Sequence, residues 1–178
     1  MLPKTGQTIS YRDGDDGYYE AGWDGDRFTD NEDGTITDNA TSLMWPKDFN
    51  SDGGNSGGGL DWNAAIDWAE ALSFAGHDDW RLPNFNELFS ILNRGAHHPA
   101  AYAAFENYPS ANLWTSTVRA AYPQEAWQLA TIEGDSYRTP IWFGAPVFAV
   151  RTVIPGGNPM FKVGEGLVNA GLVHGGLA

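Results

Sequence analysis

Oxygen-bearing side chains recur at every second position in one short segment of this chain. Asp48, Asn50 and Asp52 are spaced by two and are followed by a glycine. Calcium takes six to eight oxygen ligands, and this spacing matches the opening of a calcium loop. The acidic residue expected at the twelfth position is absent, and Asp61 could substitute for it from two residues further on. The pattern predicts a calcium site, with an ion-free turn rich in Gly, Asn and Asp as the alternative.

A second group of acidic and amide residues lies nearer the N-terminus, at Asp30, Asn31, Asp33 and Asp38. These oxygens could hold a second ion. A tight hairpin explains them equally well, because such turns require Asn, Asp and Gly. Both interpretations stay open at the level of sequence.

Catalytic motifs are missing from the chain. It has no Cys, which excludes thiolate metal sites and a Cys nucleophile. The four His residues form no zinc pattern, and no Gly-x-Ser-x-Gly elbow occurs. Acidic pairs do occur, but chance alone creates some among 23 acidic residues. The sequence therefore predicts a protein that is not an enzyme.

Composition limits the class of partner. The formal net charge is −13, which disfavours nucleic acid and anionic membranes, since both bind mainly through Lys and Arg. No run of about 18 apolar residues is present, so no helix is predicted to span a membrane. Eight Trp, nine Phe and seven Tyr in 178 residues can form a dense aromatic core. The acidic surface provides solubility or binds cations.

Two helices are predicted in the middle of the chain. The first begins at Asp61 and ends at Gly76, because a left-handed cap favours glycine. The second begins at Asn84, with Glu87 three residues on in the layout of a capping box, and ends at Gly95. The segment from Trp80 to Pro83 joins the helices. Within it, Arg81 is predicted to anchor loop carbonyls or a carboxylate such as Asp79, and Trp45, Trp62, Trp80, Trp114 and Trp127 are predicted to lie in the core.

Short strands flank the two helices. Residues 48–59 are predicted to form a polar, glycine-rich loop. Strands rich in β-branched and aromatic residues are predicted at 27–30, 34–38 and 41–46 before the helices, and at 113–118, 126–131 and 147–153 after them. This order predicts an α+β fold with an antiparallel sheet.

Several sequence blocks, in order, resemble one family. Each block is weak alone, and together they are specific. The chain resembles the Lcl C-terminal domain family, named for the end domain of a Legionella collagen-like adhesin. The blocks are residues 2–8, 14–17, 27–31, 33–39, 43–45, 79–84, 87–88, 113–117 and 150–151.

The resemblance implies a variant of the C-type-lectin-like fold over residues 1–153, with two helices packed on antiparallel strands and long Gly- and Asp-rich loops. It also implies an extracellular binding module on a cell surface or virion, in some members a glycan adhesin and a trimer. On this fold, the ligand face is expected on loops after the second helix. Aromatic faces and donors there could bind sugars or a protein surface, and they are supplied by Arg119, Tyr122, Gln124, Tyr137, Arg138 and Trp142.

The chain departs from the family pattern at two places. Ala69 stands in the first helix where the family commonly has Cys, and residues 154–178 form a Gly-rich, apolar extension without a counterpart. The extension is expected to pack either on its own domain or on a neighbouring subunit. Two functions follow: a calcium-stabilised, homo-oligomeric module that binds a glycan or surface protein, or a structural subunit of an extracellular filament or phage particle.

Overall fold

Short helices separate runs of antiparallel strands in the computed structural model, which describes residues 2–153. The predicted C-terminal extension lies outside the described residues. The elements are α1 (Asp16–Tyr19), β1 (Phe28–Asp30), β2 (Thr35–Asp38), β3 (Leu43–Pro46), β4 (Gly54–Leu60), α2 (Trp62–Glu70), α3 (Phe85–Ser90), β5 (Asn112–Arg119), β6 (Tyr122–Ala130), β7 (Asp135–Pro140), β8 (Ala145–Phe148) and β9 (Arg151–Thr152).

The early strands form a four-stranded antiparallel sheet in the order β1-β2-β3-β9. Its first hairpin turns at Gly34, whose φ of +90° suits glycine and strains other residues. The final strand β9 returns to pair with β3, with Leu43 opposite Thr152. The three strands predicted before the helices are therefore confirmed, whereas the predicted strand at 147–153 is divided into β8 and β9.

A strand was not predicted within residues 48–59. Here β4 pairs with β8, although the pairing is irregular between Asn55 and Leu60. A Cβ atom on Gly59 would lie 2.4 Å from the carbonyl carbon of Gly144, so the two backbones approach too closely for any side chain. Gly59, one of the glycines that suggested a loop, is instead required by this close contact between backbones.

The late strands form a three-stranded sheet, β5-β6-β7, with helices on its two faces. On one face, Trp114 packs with Ala65 and Ala69 of α2. On the other, Leu113 and Leu129 pack in a cluster that contains Leu88 of α3. The strand β7 was not predicted, and β6 begins four residues before its predicted start at 126.

Both predicted helices form, but each is shorter than the sequence indicated. The Asp61 side chain caps α2 by accepting from the Ala64 amide at 2.9 Å. The capping box of α3 is present as predicted, with Asn84 and Glu87 as its two members. The helix α2 ends at Glu70 and not at Gly76, and the short helix α1 was missed.

Hydrogen bonds and ion pairs hold the side chains of the segment between the two helices in place. Trp80 is 1% exposed and its indole N–H donates to the Phe74 carbonyl at 3.1 Å. Arg81 has the predicted anchoring role, but its partner is Glu87, which it contacts through two bonds of 2.7 Å. Asp79 is bound instead by Arg151, at 2.6 and 3.1 Å.

This ion pair affects the titration of Asp79. Partial burial alone would raise the pKa of its carboxyl group. The hydrogen bonds and positive charge of Arg151 outweigh that effect and lower the pKa below its usual range. We call residues 71–84, between α2 and α3, the hinge segment; the pair connects it to β9 as a charged contact. Overall, the predicted antiparallel α+β arrangement is confirmed, and the C-type-lectin-like variant stays a prediction.

Candidate functional site

Four of the six predicted ligand residues lie together at one end of the three-stranded sheet. Arg119 and Tyr122 are opposite one another across the β5–β6 turn. The Arg119 guanidinium carbon lies 4.1 Å from the centre of the Tyr122 ring, and its Nη1 donates to Glu125 at 2.8 Å. The Gln124 carbonyl accepts from the Ile141 amide at 2.9 Å, which brings the next residue, Trp142, to the same end.

Aromatic rings at this end are open to solvent. Tyr122 is 51% exposed, Trp142 is 67% exposed and Phe143 is 55% exposed. Phe143 follows Trp142 in the turn between β7 and β8 and was not predicted as a ligand residue. We call Tyr122, Trp142 and Phe143 the aromatic tip. Arg119 gives it one positive charge, held in place by Glu125.

The other two predicted ligand residues lie elsewhere on the sheet. Tyr137 is opposite Gln128, and Arg138 is opposite Trp127, so the two side chains project from opposite faces of β7. Tyr137 borders a depression that also contains Glu133 and Asp135. The structure therefore does not bring all six residues into one site. Most of them lie on strands and not on the predicted loops, and only Trp142 is in a turn.

A shallow cleft of about 520 Å³ lies where α3 packs against the three-stranded sheet. The rings of Phe85 and Trp127 meet there at 67°, with centroids 5.7 Å apart. Phe85 also stacks on Phe89, whose other neighbour is the Arg94 guanidinium at 4.2 Å. We call this the Trp127 cleft. It is lined by Asn84, Phe85, Asn86, Thr117, Trp127 and Ser136.

Few features of the sequence indicate this cleft. Trp127 was predicted to be a core residue; Trp45, Trp80 and Trp114 are buried as predicted, but Trp127 and Trp62 are only half-buried. Asn84 was interpreted only as a helix cap. The one available signal was period-two alternation in β6, where Trp127 lies between the buried Ala126 and Gln128. Because the cleft depends on how α3 meets the sheet, local pattern could not reveal it.

The first three predicted calcium ligands lie in a local turn. Asp48 Oδ1 accepts from the Asn50 amide at 2.8 Å and from the Asn107 side chain at 2.9 Å. Asn50 and Asp52 are exposed. These bonds stabilise the turn without an ion, so the Gly/Asn/Asp turn is sufficient to explain this part of the pattern.

The fourth predicted ligand, Asp61, lies beyond the far end of β4. The ends of β4 pair with Phe148 and Ala145, three residues apart on β8, which places them about 10 Å from each other. The Asp61 carboxylate also caps α2. Among residues 2–153, no group of three or more acidic or His side chains is arranged to hold a metal. The four residues do not form one shell here, and calcium binding stays a prediction.

The second acidic group forms the turn between β1 and β2. Asp30 accepts from the Glu32 amide and Asp33 from the Thr35 amide, as expected of a tight hairpin. Asp38 is buried and paired with Arg27 at 3.0 Å. These contacts agree with the hairpin interpretation and do not require an ion.

Comparison with known proteins identifies a protein family. The model of the Lcl C-terminal domain matches residues 34–153, which is more than half of the chain. The resembling blocks before Gly34 lie outside that match. No curated protein matches the sequence. Among the described residues, no helix is long and apolar enough to cross a membrane. On the family match, the chain belongs to the Lcl C-terminal domain family.

Proposed function

We propose that this domain is a non-enzymatic, surface-associated binding module that recognises a glycan or a surface protein outside the cell, on a cell surface or virion. Family membership supports a surface-associated role. The observation that carries the recognition step is the aromatic tip, three large rings each about half or more exposed at one end of a sheet. A C-type-lectin-like arrangement, and a homo-oligomeric assembly such as a trimer, form part of the same proposal.

The chemistry of the aromatic tip suits a partner with both apolar and polar faces. Exposed aromatic rings supply rigid contact area at small cost in conformational entropy. Arg119 adds donors that are oriented by Glu125 and by its position over Tyr122. Such groups bind the C–H face of a sugar ring or an apolar side chain of another protein, with one hydrogen bond or ion pair fixing the orientation.

A glycan array tests this proposal with the wild type and with a Tyr122→Ala/Trp142→Ala double variant. We expect wild-type binding that is weakened in the double variant. Tyr11→Ala is the matched control, because Tyr11 is 83% exposed on a different part of the chain. Unchanged affinity in the double variant contradicts the role of the aromatic tip, and no binding by the wild type contradicts glycan recognition.

Calcium dependence is tested on the same array with a chelator present. If the segment from Asp48 to Asp52 binds calcium and supports the fold, chelation lowers both binding and the unfolding temperature, and Asp48→Asn does the same. Unchanged binding and stability would contradict calcium stabilisation while leaving the recognition proposal intact.

The alternative function is a structural subunit of an extracellular filament or phage particle. The observation that favours it is the same group of exposed apolar residues, joined by Val118, which is 39% exposed. Exposed apolar patches also serve as contacts between subunits. Sedimentation velocity across a range of concentrations separates the two functions: polymers that vanish in the Tyr122→Ala/Trp142→Ala variant support the subunit role, and a well-behaved monomer contradicts it.

A further inference from the structure

We propose that the Trp127 cleft is a binding subsite for a single uncharged sugar ring, separate from the aromatic tip. The inference rests on the proposed function as a recognition module and names the ligand class for a second surface of the same domain. It is carried by three features of the cleft: the arrangement of its two rings, the unused polar groups at its rim, and its lack of charged side chains.

The ring arrangement favours a small, rigid ligand. Phe85 and Trp127 meet at 67° and so form a corner and not a flat platform. Phe85 is held in place by stacking on Phe89 with centroids 5.8 Å apart. Such a corner suits a pyranose ring, whose apolar C–H face can lie against one aromatic ring while its edge contacts the other.

The polar groups at the rim are free to bind. The indole N–H groups of Trp62, Trp80 and Trp114 donate to backbone carbonyls, whereas those of Trp23 and Trp45 are buried without a partner. Within the described part of the chain, the indole N–H of Trp127 and the side-chain amide of Asn86 have no such partner. Trp127 differs from Trp45 in being half-buried at the cleft, so its indole N–H is available to a ligand acceptor.

Neighbouring groups supply hydrogen bonds of both kinds. Asn84 uses its Oδ1 to accept from the Glu87 amide and retains its NH₂ group. Thr117 accepts from the Phe85 amide and retains its hydroxyl proton. Ser136 adds an exposed hydroxyl. Hydroxyl and amide groups that both donate and accept match the hydroxyls of a sugar, which do the same.

The charge of the cleft selects against ionic ligands. None of the lining residues is charged, in a chain with 23 acidic residues and a net charge of −13. A sulfated or carboxylated sugar would meet repulsion from the surrounding surface and would find no lining cation. Among residues 2–153, strand pairing places one cation, the exposed Arg138, beside the cleft on the same face as Trp127. An uncharged ring is therefore the favoured ligand class.

Saturation-transfer difference NMR on the full chain tests the proposal. The probes are the methyl glycosides of glucose, galactose, mannose and N-acetylglucosamine, with a heparin-derived disaccharide as the sulfated comparison. We expect transfer to the ring C–H protons of at least one neutral glycoside and none to the disaccharide. Ser136→Tyr, which fills the cleft from an exposed strand position, should weaken that binding about tenfold or more.

Asn86→Ala supplies a second variant that avoids the aromatic packing, since Asn86 is exposed at the second position of α3. The matched control is Asn63→Ala, at the exposed second position of α2. We expect weaker binding for the first and unchanged binding for the second, with native unfolding temperatures for both.

The outcomes separate the subsite from the broader function. Neutral glycoside binding that survives in both Ser136→Tyr and Asn86→Ala overturns the subsite and leaves the recognition proposal standing. Absence of binding to every neutral glycoside also overturns the subsite, while array binding through the aromatic tip would still support the proposed function. Preferential binding of the sulfated disaccharide overturns the assignment to uncharged sugars.

Discussion

The hinge segment between α2 and α3 and the Trp127 cleft use the same kinds of residue to opposite effect. In the hinge segment, Trp80 donates to a carbonyl, Arg81 is bound by Glu87, and Asp79 is bound by Arg151. In the cleft, the indole of Trp127 and the amide of Asn86 have no partner among the described residues. Dense aromatic and polar composition therefore does not identify a site. Whether the protein satisfies its own polar groups distinguishes the two regions.

This comparison predicts that the largest loss of stability follows from Trp80→Ala. The side chain is 1% exposed and packs against Phe74. Removing it should cost about 3–5 kcal/mol in the free energy of unfolding, because a buried cavity replaces the indole. Urea unfolding measures the change. A loss below about 1 kcal/mol would mean that the hinge segment is not a core element.

An intermediate effect is expected from Asp79→Asn. The variant leaves Arg151, whose side chain is 10% exposed, without its charged partner. Removing the charge of one member of a largely buried pair costs about 3 kcal/mol near neutral pH. Tyr11→Ala is the control, because Tyr11 is exposed and lies outside the hinge segment; it should change the free energy of unfolding by less than about 0.5 kcal/mol.

The pH dependence of the same variant has a definite sign. The pKa of Asp79 is lower in the folded protein than in the unfolded chain. Its stabilising contribution is therefore complete above the unfolded pKa, about 3.9, and is lost as pH falls through the lower folded pKa. The difference between wild type and Asp79→Asn should be constant from about pH 6 to 8 and shrink below about pH 4. A difference that grows on acidification would contradict the pairing.

The smallest effect on stability is expected at the aromatic tip. Trp142→Ser removes a side chain that is 67% exposed, so the free energy of unfolding should change by no more than about 0.5 kcal/mol. Calorimetry measures the unfolding temperature of the variant beside that of Trp80→Ala. A loss comparable to the Trp80 variant would show that the ring stabilises the fold, and would remove the argument for a surface reserved for binding.

Local sequence signals predicted the fold better than the sites. The capping box at Asn84 and Glu87 was predicted because its chemistry is contained in four consecutive residues. The partner of Arg81 was not predicted correctly. Asp79 and Glu87 are both close to Arg81 in sequence, and the packing of the folded chain selects Glu87. The strand β4 was missed because its pairing partner β8 lies more than 80 residues away, and Gly59 is needed for the close approach to Gly144 rather than for a loop.

The candidate sites depend more than the helices and strands do on contacts between residues that are distant in sequence. Arg119, Tyr122 and Trp142 were selected as aromatic and donor residues near predicted turns, and strand pairing brings them together. Tyr137 and Arg138 are adjacent in sequence and were predicted to act together, but a strand sends neighbouring side chains to opposite faces. The Trp127 cleft combines residues from α3, β5, β6 and β7, so no single segment carries its pattern.

The pairing of β9 with β3 has a consequence for how the domain acquires its structure during synthesis. Arg151 bonds to Met44 across 107 positions of sequence, and the four-stranded sheet cannot be completed until β9 is available. Such distant closure slows folding, because chain entropy is lost before the contact forms. During synthesis on a ribosome, one edge of β3 therefore stays unpaired until nearly the whole described domain has emerged. The sheet should then close only after β9 has been synthesised, and the exposed β3 edge is where misassembly would begin.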